Sequence, residues 1–302
     1  MLRPFLGVRV RSVVRGLRSS RLASTISRCD NYRVTKQGHV EIEGAKLFYE
    51  EDGTGEPLIL IHANILDHRM WDLQVEPFAR RYRVIRVDER GYGRSEWHPG
   101  PYSDHSDLFG LLRSFGLDEV HLVGLSMGAN AALEFALMYP VATKSLVVVP
   151  GGIAGHQLPE WFDRGFDGFV SAARDGDFGR AIDLVMDFPP MRPAGRIPSV
   201  RSALRSIMEE YSWVSLFEDY GKYVELQPPV YERLEEISCP TLIISGDLDI
   251  EEFREEAEVL ARRVPGADLV RIGGAGHMVN MERPAEFNTA VLTFLARTSS
   301  QA

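Results

Sequence analysis

Residues 120–134 read Val120-His121-Leu122-Val123-Gly124-Leu125-Ser126-Met127-Gly128-Ala129-Asn130-Ala131-Ala132-Leu133-Glu134. An apolar run stops at a Gly-x-Ser-x-Gly pentapeptide, and strong helix formers follow. The pattern predicts a buried strand, a sharp turn carrying Ser126, and a helix from Ala129. Such a turn strains the serine backbone and lifts its hydroxyl clear of the sheet. Residues two before and two after the serine must be small, because a Cβ there would strike the neighbouring strand or helix. The pentapeptide alone is a weak signal. It gains weight when a strand precedes it, a helix follows it, and an acid and a histidine come later in that order.

Outward from this stretch the chain alternates strands with helices. Val40–Ile42 and Lys46–Glu50 flank Gly44 as an antiparallel hairpin. Pro57–Ile61 is a short continuous apolar run, the signature of a strand buried on both faces. Further strands are predicted at Tyr82–Val87, Val120–Leu125, Ser145–Val149, Thr241–Ser245 and Asp268–Ile272, with helices over 104–116 and 129–139. The fold class is therefore α/β, a mostly parallel doubly wound sheet. The alternation breaks over residues 151–238, which read as helices with Pro and Gly breaks and contain 12 of the 29 aromatic residues. This segment is expected to be a helical cap inserted before the last two strands. Residues 29–150 and 239–302 supply the core. The aromatics of the cap, among them Trp161, Phe162, Phe166, Phe169, Tyr211, Trp213 and Phe217, are divided between helical core and the wall of an apolar pocket.

A serine hydroxyl at neutral pH is a weak nucleophile and needs a base, which in turn needs an orienting carboxylate. Of the eight histidines, His277 follows a strand in Gly273-Gly274-Ala275-Gly276-His277, a loop free to bring an imidazole over Ser126. For the acid, Gly246-Asp247-Leu248-Asp249 ends the preceding strand, and Asp249 is favoured over Asp247, which reads as a turn residue. Glu251 and Glu252 suit the start of the next helix. The oxyanion of a tetrahedral intermediate needs two preorganised N–H donors. Met127, directly after the nucleophile, supplies one. The loop His62-Ala63-Asn64 supplies the other, at Asn64, with His62 as the anchor of that loop.

Composition fits a globular protein, 44% apolar and 25% charged, and no apolar run approaches the ~18 residues of a membrane span. The first 28 residues hold seven Arg, five Ser and no acid, so the formal charge of −9 for the whole chain becomes −16 for residues 29–302. An acidic body is a poor partner for nucleic acid or anionic membranes. The Arg-rich leader 1–28 reads either as a mitochondrial transit peptide or as a tail outside the fold, and the expected location is the cytoplasm, or the mitochondrion if the leader is genuine. Cys29 and Cys239 form no disulfide framework, which suits a reducing compartment. No Cys/His cluster has metal-ligand spacing, and the chemistry proposed for Ser126 requires no cofactor.

Four landmarks together resemble the α/β-hydrolase superfamily over residues 38–297. They are His62-Ala63-Asn64, the turn Asp88-Glu89-Arg90-Gly91-Tyr92-Gly93-Arg94-Ser95, the pentapeptide at Ser126, and the pair Asp249 and His277. Arg69-Met70-Trp71-Asp72 and Glu282-Arg283-Pro284 are similar to the 3-oxoadipate enol-lactonase and cofactor-free haloperoxidase branch. Ala63 departs from the family's usual glycine. A serine nucleophile argues against the epoxide hydrolase and haloalkane dehalogenase branches, which need a carboxylate. The absence of His-Gly-Gly-Pro-Gly argues against proline iminopeptidase. The resemblance implies hydrolysis of a small to medium apolar ester or lactone through an acyl-enzyme. Its rivals are C–C bond hydrolysis or perhydrolysis with the same triad, and a ligand receptor on a hydrolase scaffold.

Overall fold

A computed structural model describes residues 36–98, 100–217 and 223–298. The expectations for the leader and for Cys29 lie outside these residues. Eight strands form one sheet: β1 (Lys36–Ile42), β2 (Ala45–Asp52), β3 (Glu56–Ile61), β4 (Tyr82–Val87), β5 (Val120–Leu125), β6 (Thr143–Val149), β7 (Thr241–Gly246) and β8 (Asp268–Ile272). Their order is β1-β2-β4-β3-β5-β6-β7-β8. The β1–β2 and β2–β4 pairs are antiparallel, and every later pair is parallel. Every strand expected from the sequence is present.

The continuous apolar runs work because each parallel strand is covered twice. Leu58 and Leu60 of β3 face one core with Val123, Val147 and Leu242. Ile59 and Ile61 face the other with Leu122, Leu146 and Ile243. The period of two thus distributes one apolar run between two layers. Each such side chain contributes roughly 1.5–3 kcal/mol on burial. The first layer is closed by α1 (Asp72–Ala79) through Phe78, with Phe287 and Val291 from the C-terminal helix. The second is closed by α2 (Asp104–Ser114) and α3 (Met127–Met138), through Leu108, Leu111, Leu133 and Phe135.

Between β6 and β7 the chain forms a helical insertion: α4 (Glu160–Arg174), α5 (Phe178–Asp187), α6 (Arg192–Gly195), α7 (Pro198–Glu210) and α8 (Val214–Phe217). Ile182, Val185 and Met186 of α5 recur at helical spacing and are buried with Phe169 and Val170 of α4. From Val230 onward the insertion ceases to behave as cap. Val230, Leu234 and Ile237 pack into the second core layer. These residues lie within the segment 151–238 expected as cap, and an apolar i, i+4 pair such as Val230 and Leu234 looks the same whichever body it packs on. The last elements are α9 (Glu251–Arg263), α10 (Val279–Glu282) and α11 (Pro284–Thr298).

Strand order reverses around β3: β4 lies on one side of it and β5 on the other. Loops leaving the carboxyl ends of such strands diverge and open a crevice, the usual ligand position in an open α/β sheet. The β3 loop carries Asn64, and β5 ends on Ser126.

Candidate active site

Ser126 has φ 57° and ψ −115°, a left-handed conformation rare for a residue with a side chain. Its N–H donates to Val149 O at 2.8 Å, tying the turn to the end of β6. Its carbonyl already accepts the N–H groups of Ala129 and Asn130, at 2.9 and 3.1 Å. For that reason α3 begins at Met127, two residues before the sequence suggests. The chain changes from strand to helix across a single residue. The flanking glycines are explained by contact. A Cβ on Gly124 would lie 2.7 Å from Ala129 N and against the Gly128 carbonyl. One on Gly128 would lie 2.6 Å from His62 O and against Ile61 O.

His277 Nδ1–H donates to Asp249 Oδ2 at 2.9 Å, both side chains being almost fully buried. The other oxygen of Asp249 accepts Ile250 N–H at 2.8 Å, which fixes the carboxylate plane. Asp247 is placed differently: it accepts Gly274 N–H at 2.7 Å and ties the β7 turn to the β8 loop. Ser126 Oγ donates to Gly151 O at 3.2 Å. A Cβ on Gly151 would stand 2.9 Å from both Ser126 Oγ and His277 Nε2. The hydroxyl and the imidazole thus face each other across a backbone that carries no side chain.

Two carboxylates missed by sequence reasoning hold this arrangement. Glu282 accepts Gly276 N–H at 2.7 Å and Met278 N–H at 3.1 Å, clasping the backbone on both sides of His277. Burial raises its carboxyl above the usual range. Glu256, on α9, accepts Gly152 N–H at 2.9 Å and Ile153 N–H at 3.1 Å, and so fixes the loop that presents Gly151 O. A backbone-directed carboxylate leaves no spacing signature; only Glu282, within five residues of His277, was near enough in sequence to attract notice.

Met127 occupies the first turn of α3, where backbone N–H groups have no intrahelical acceptor. Asn64 faces the same cavity from the β3 loop. Its side chain is occupied: Oδ1 accepts Ile65 N–H and Tyr92 O–H, each at 2.8 Å. His62 is fully buried, bonds Ala63 O through Nδ1 at 2.8 Å, and accepts Glu89 N–H through Nε2 at 2.9 Å. Burial lowers its pKa, so the neutral ring that can both donate and accept is the form that anchors the loop. Ala63 N–H points at Met70 Sδ, 3.2 Å away, and the Met70 carbonyl accepts Asn280 Nδ2–H at 2.8 Å. The loop bearing Asn64 and the segment after His277 are therefore linked through one methionine.

A cavity of about 350 Å³ opens onto Ser126, Met127, Asn64 and His277. One side is apolar, formed by Phe162, Phe166, Phe169, Phe188 and Met191 of the insertion together with Phe253. Tyr211 and Trp213 are instead buried in the core beneath. A polar part of the lining comprises Tyr102, Asp104, Asn130, Ser215 and Tyr223. No Lys or Arg is among the described residues lining it.

Sheet topology, the strained serine and the buried His–Asp pair together describe an α/β protein whose β5 passes into α3 through a sharp turn at Ser126. Residues 58–290 match the Alpha/beta hydrolase family, and the chain belongs to it. A 2-hydroxy-6-oxononadienedioate/2-hydroxy-6-oxononatrienedioate hydrolase of Burkholderia vietnamiensis is 30% identical over 276 residues, 83% of this chain and 91% of that protein. The enol-lactonase from Burkholderia xenovorans matches with a TM-score of 0.71 at 25% identity, over 86% of this chain and 100% of its own. Bromoperoxidase from Bacillus anthracis matches in fold, with a TM-score of 0.69 at 24% identity over 86% of this chain and 100% of its own. The family resemblance read from the four landmarks is borne out, including its enol-lactonase and haloperoxidase neighbours. Among the described residues no helix is long and apolar enough to cross a membrane.

Proposed function

We propose that the protein is a serine hydrolase that cleaves a small to medium carboxylic ester or lactone through an acyl-enzyme. The observation that carries this reading is the meeting of Ser126, on its left-handed turn, with the His277–Asp249 pair at the mouth of a largely apolar cavity. Rotation about the Cα–Cβ bond of Ser126 transfers its hydrogen bond from Gly151 O to His277 Nε2. His277 then takes the proton as Oγ attacks the carbonyl. Asp249 holds the Nδ1–H tautomer and stabilises the imidazolium. The Met127 and Asn64 amides receive the oxyanion, aided by the positive end of α3. His277 returns the proton to the leaving alcohol, and water activated by the same histidine releases the acid.

An ester or lactone is favoured over a dienedioate of the kind named for the Burkholderia vietnamiensis relative. A dioate carries two carboxylates, and this cavity offers no Lys or Arg to receive them. Desolvating an unpaired carboxylate costs several kcal/mol. The decisive experiment treats the folded protein with a fluorophosphonate probe and measures p-nitrophenyl butyrate hydrolysis. Labelling at Ser126, with both labelling and turnover lost in Ser126→Ala, is the expected result. An unlabelled Ser126, or turnover that survives Ser126→Ala, overturns the mechanism.

A further inference from the structure

The polar side of the cavity has a charge arrangement that ester cleavage does not require. Asp104, at the start of α2, faces the cavity beside Tyr102, Asn130 and Tyr223. Behind it Glu134 of α3 accepts Tyr223 O–H at 3.1 Å and Asn130 Nδ2–H at 3.3 Å. Glu89, after β4, is only 5% exposed, and neither of its oxygens has a hydrogen-bond partner among the described residues. A gap of about 10 Å³ is lined by both Glu89 and Asp104. Arg90 lines the same gap; it is committed to Asp107 through contacts of 2.8 and 2.6 Å, and its guanidinium lies over one face of Tyr102, 5.1 Å from the ring centroid, which leaves Tyr223 and the other face of Tyr102 for a guest. Three carboxyl groups therefore converge from three elements, and among the described residues none of the three forms an ion pair.

Without a ligand such a group relieves itself by holding protons. Burial, reinforced by Glu134 and Asp107, pushes the Asp104 carboxyl up to about 8. Burial, with added repulsion from Glu225, raises Glu134 to about 7 against the Tyr223 and Asn130 hydrogen bonds. Glu89 is raised well above the carboxylate range by burial and by Asp104, Asp107, Glu134 and Asp88. A cation entering from the cavity would reverse that balance, ionising Asp104 and releasing its proton to solvent. Aromatic walls suit the same guest. The Tyr102 and Tyr223 rings meet nearly at right angles, with centroids 5.5 Å apart, and Trp97 packs behind Tyr102 at 5.6 Å. Ring faces attract alkylammonium groups, most strongly where water is excluded. At long range the charge of −16 on residues 29–302 draws cations and repels anions.

We infer that this end of the cavity is a subsite for an alkylammonium group carried by the substrate, with Asp104 as its principal counter-charge and Glu134 and Glu89 in support. The inference rests on the serine-hydrolase reading for what happens at the ester carbonyl, but the binding itself can be measured without turnover.

The first arm compares S-butyrylthiocholine with its neutral isostere, 3,3-dimethylbutyl thiobutyrate, by thiol release at pH 8. The wild-type protein is expected to prefer the cation at least tenfold in kcat/KM, mainly through KM. Asp104→Asn should bring that ratio close to one, and Glu134→Gln should reduce it by a smaller factor. The second arm measures butyltrimethylammonium binding to the wild-type protein by titration calorimetry. It should bind about tenfold more tightly at pH 8.5 than at pH 6, with proton release detected from the buffer dependence of the heat. Equal cleavage of both thioesters, or no binding of butyltrimethylammonium at millimolar concentration, overturns the subsite and leaves the hydrolase reading intact. Cleavage of neither thioester, with proton-linked binding of the cation, removes the hydrolase reading and supports the subsite. Because the wild-type comparison stands alone, a variant that fails to fold does not rescue the inference.

Discussion

Replacing Gly128 by alanine adds one methyl group where the elbow helix meets the end of β3. The added Cβ would lie 2.6 Å from His62 O and against Ile61 O, backbone atoms at the carboxyl end of β3 and the start of its loop. Restoring an ordinary separation requires the first turn of α3 to retreat by roughly 1 Å, an overpacking that costs about 1–3 kcal/mol. The retreat carries Met127 N–H away from the loop bearing Asn64, so the two proposed oxyanion donors no longer converge. Losing one donor costs roughly 3–4 kcal/mol of transition-state stabilisation, or about 10²–10³ in kcat. The expected outcome for Gly128→Ala is thus a kcat for p-nitrophenyl butyrate down by about 10²-fold, with KM changed far less. Thermal unfolding should shift down by a few degrees, about 2–4 °C per kcal/mol for a domain of this size. Gly168→Ala is the control, because a Cβ there meets nothing within 4 Å and Gly168 lies inside α4. Alanine should stabilise that helix by roughly 0.5–1 kcal/mol. A Gly128→Ala enzyme whose kcat stays within threefold of wild type would refute the argument that this contact sets the donor geometry.

Asp249→Asn keeps the shape of the acid but removes the charge that orients His277, and kcat should fall by about 10³–10⁴ while the melting temperature changes little; a loss under tenfold would assign the acid elsewhere. Glu282→Gln leaves one of the Gly276 and Met278 amides without an acceptor, so kcat should drop about tenfold with KM nearly constant. Its pH–rate profile should also shift on the basic-group limb, and an unchanged profile would make Glu282 purely structural. Asp104 and Glu134 have raised folded pKa values, about 8 and about 7, so the folded protein retains protons that the unfolded chain has released above its ordinary carboxylate range. Stability must therefore fall as pH rises from about 5 to about 8, by up to about 1.4 kcal/mol per pH unit for each group. Urea midpoints should decline across that range and decline less in Asp104→Asn; a flat or rising curve would show that these acids are not buried as described.

The sheet was readable because its information is local. Leu58–Ile61 and Val120–Leu125 announce strands by composition, and the glycines around Ser126 announce contacts that only glycine permits. Asp249 and His277 were findable because chemistry restricts the residue type and strand ends restrict the place. The rest depends on distance in sequence. Glu256 reaches Gly152 across 104 positions, and no rule of spacing connects them. The same holds for the polar end of the cavity, where Glu89, Asp104 and Glu134 come together only because β4, α2 and α3 converge. Phe162 and Phe166 line the cavity whereas Tyr211 and Trp213 lie in the core. Their aromatic side chains mark all of these positions as inward-facing, but composition does not distinguish a filled interior from an open one.

The Met70 bridge has a consequence for how the protein comes into being. Its sulfur faces Ala63 in the first quarter of the chain, and its carbonyl binds Asn280 near the end, 210 residues further on. Gln74 repeats the pattern, bonding Asn280 O and Asn288 Oδ1, each at 3.0 Å. During synthesis the turn at Ser126 leaves the ribosome well over a hundred residues before His277 does. Throughout that interval Ser126 lacks the base proposed for it, and the loop bearing Asn64 lacks its brace. On the proposed mechanism the newborn chain is chemically silent until its last helix closes over its first, and reactivity arrives only with the completed fold.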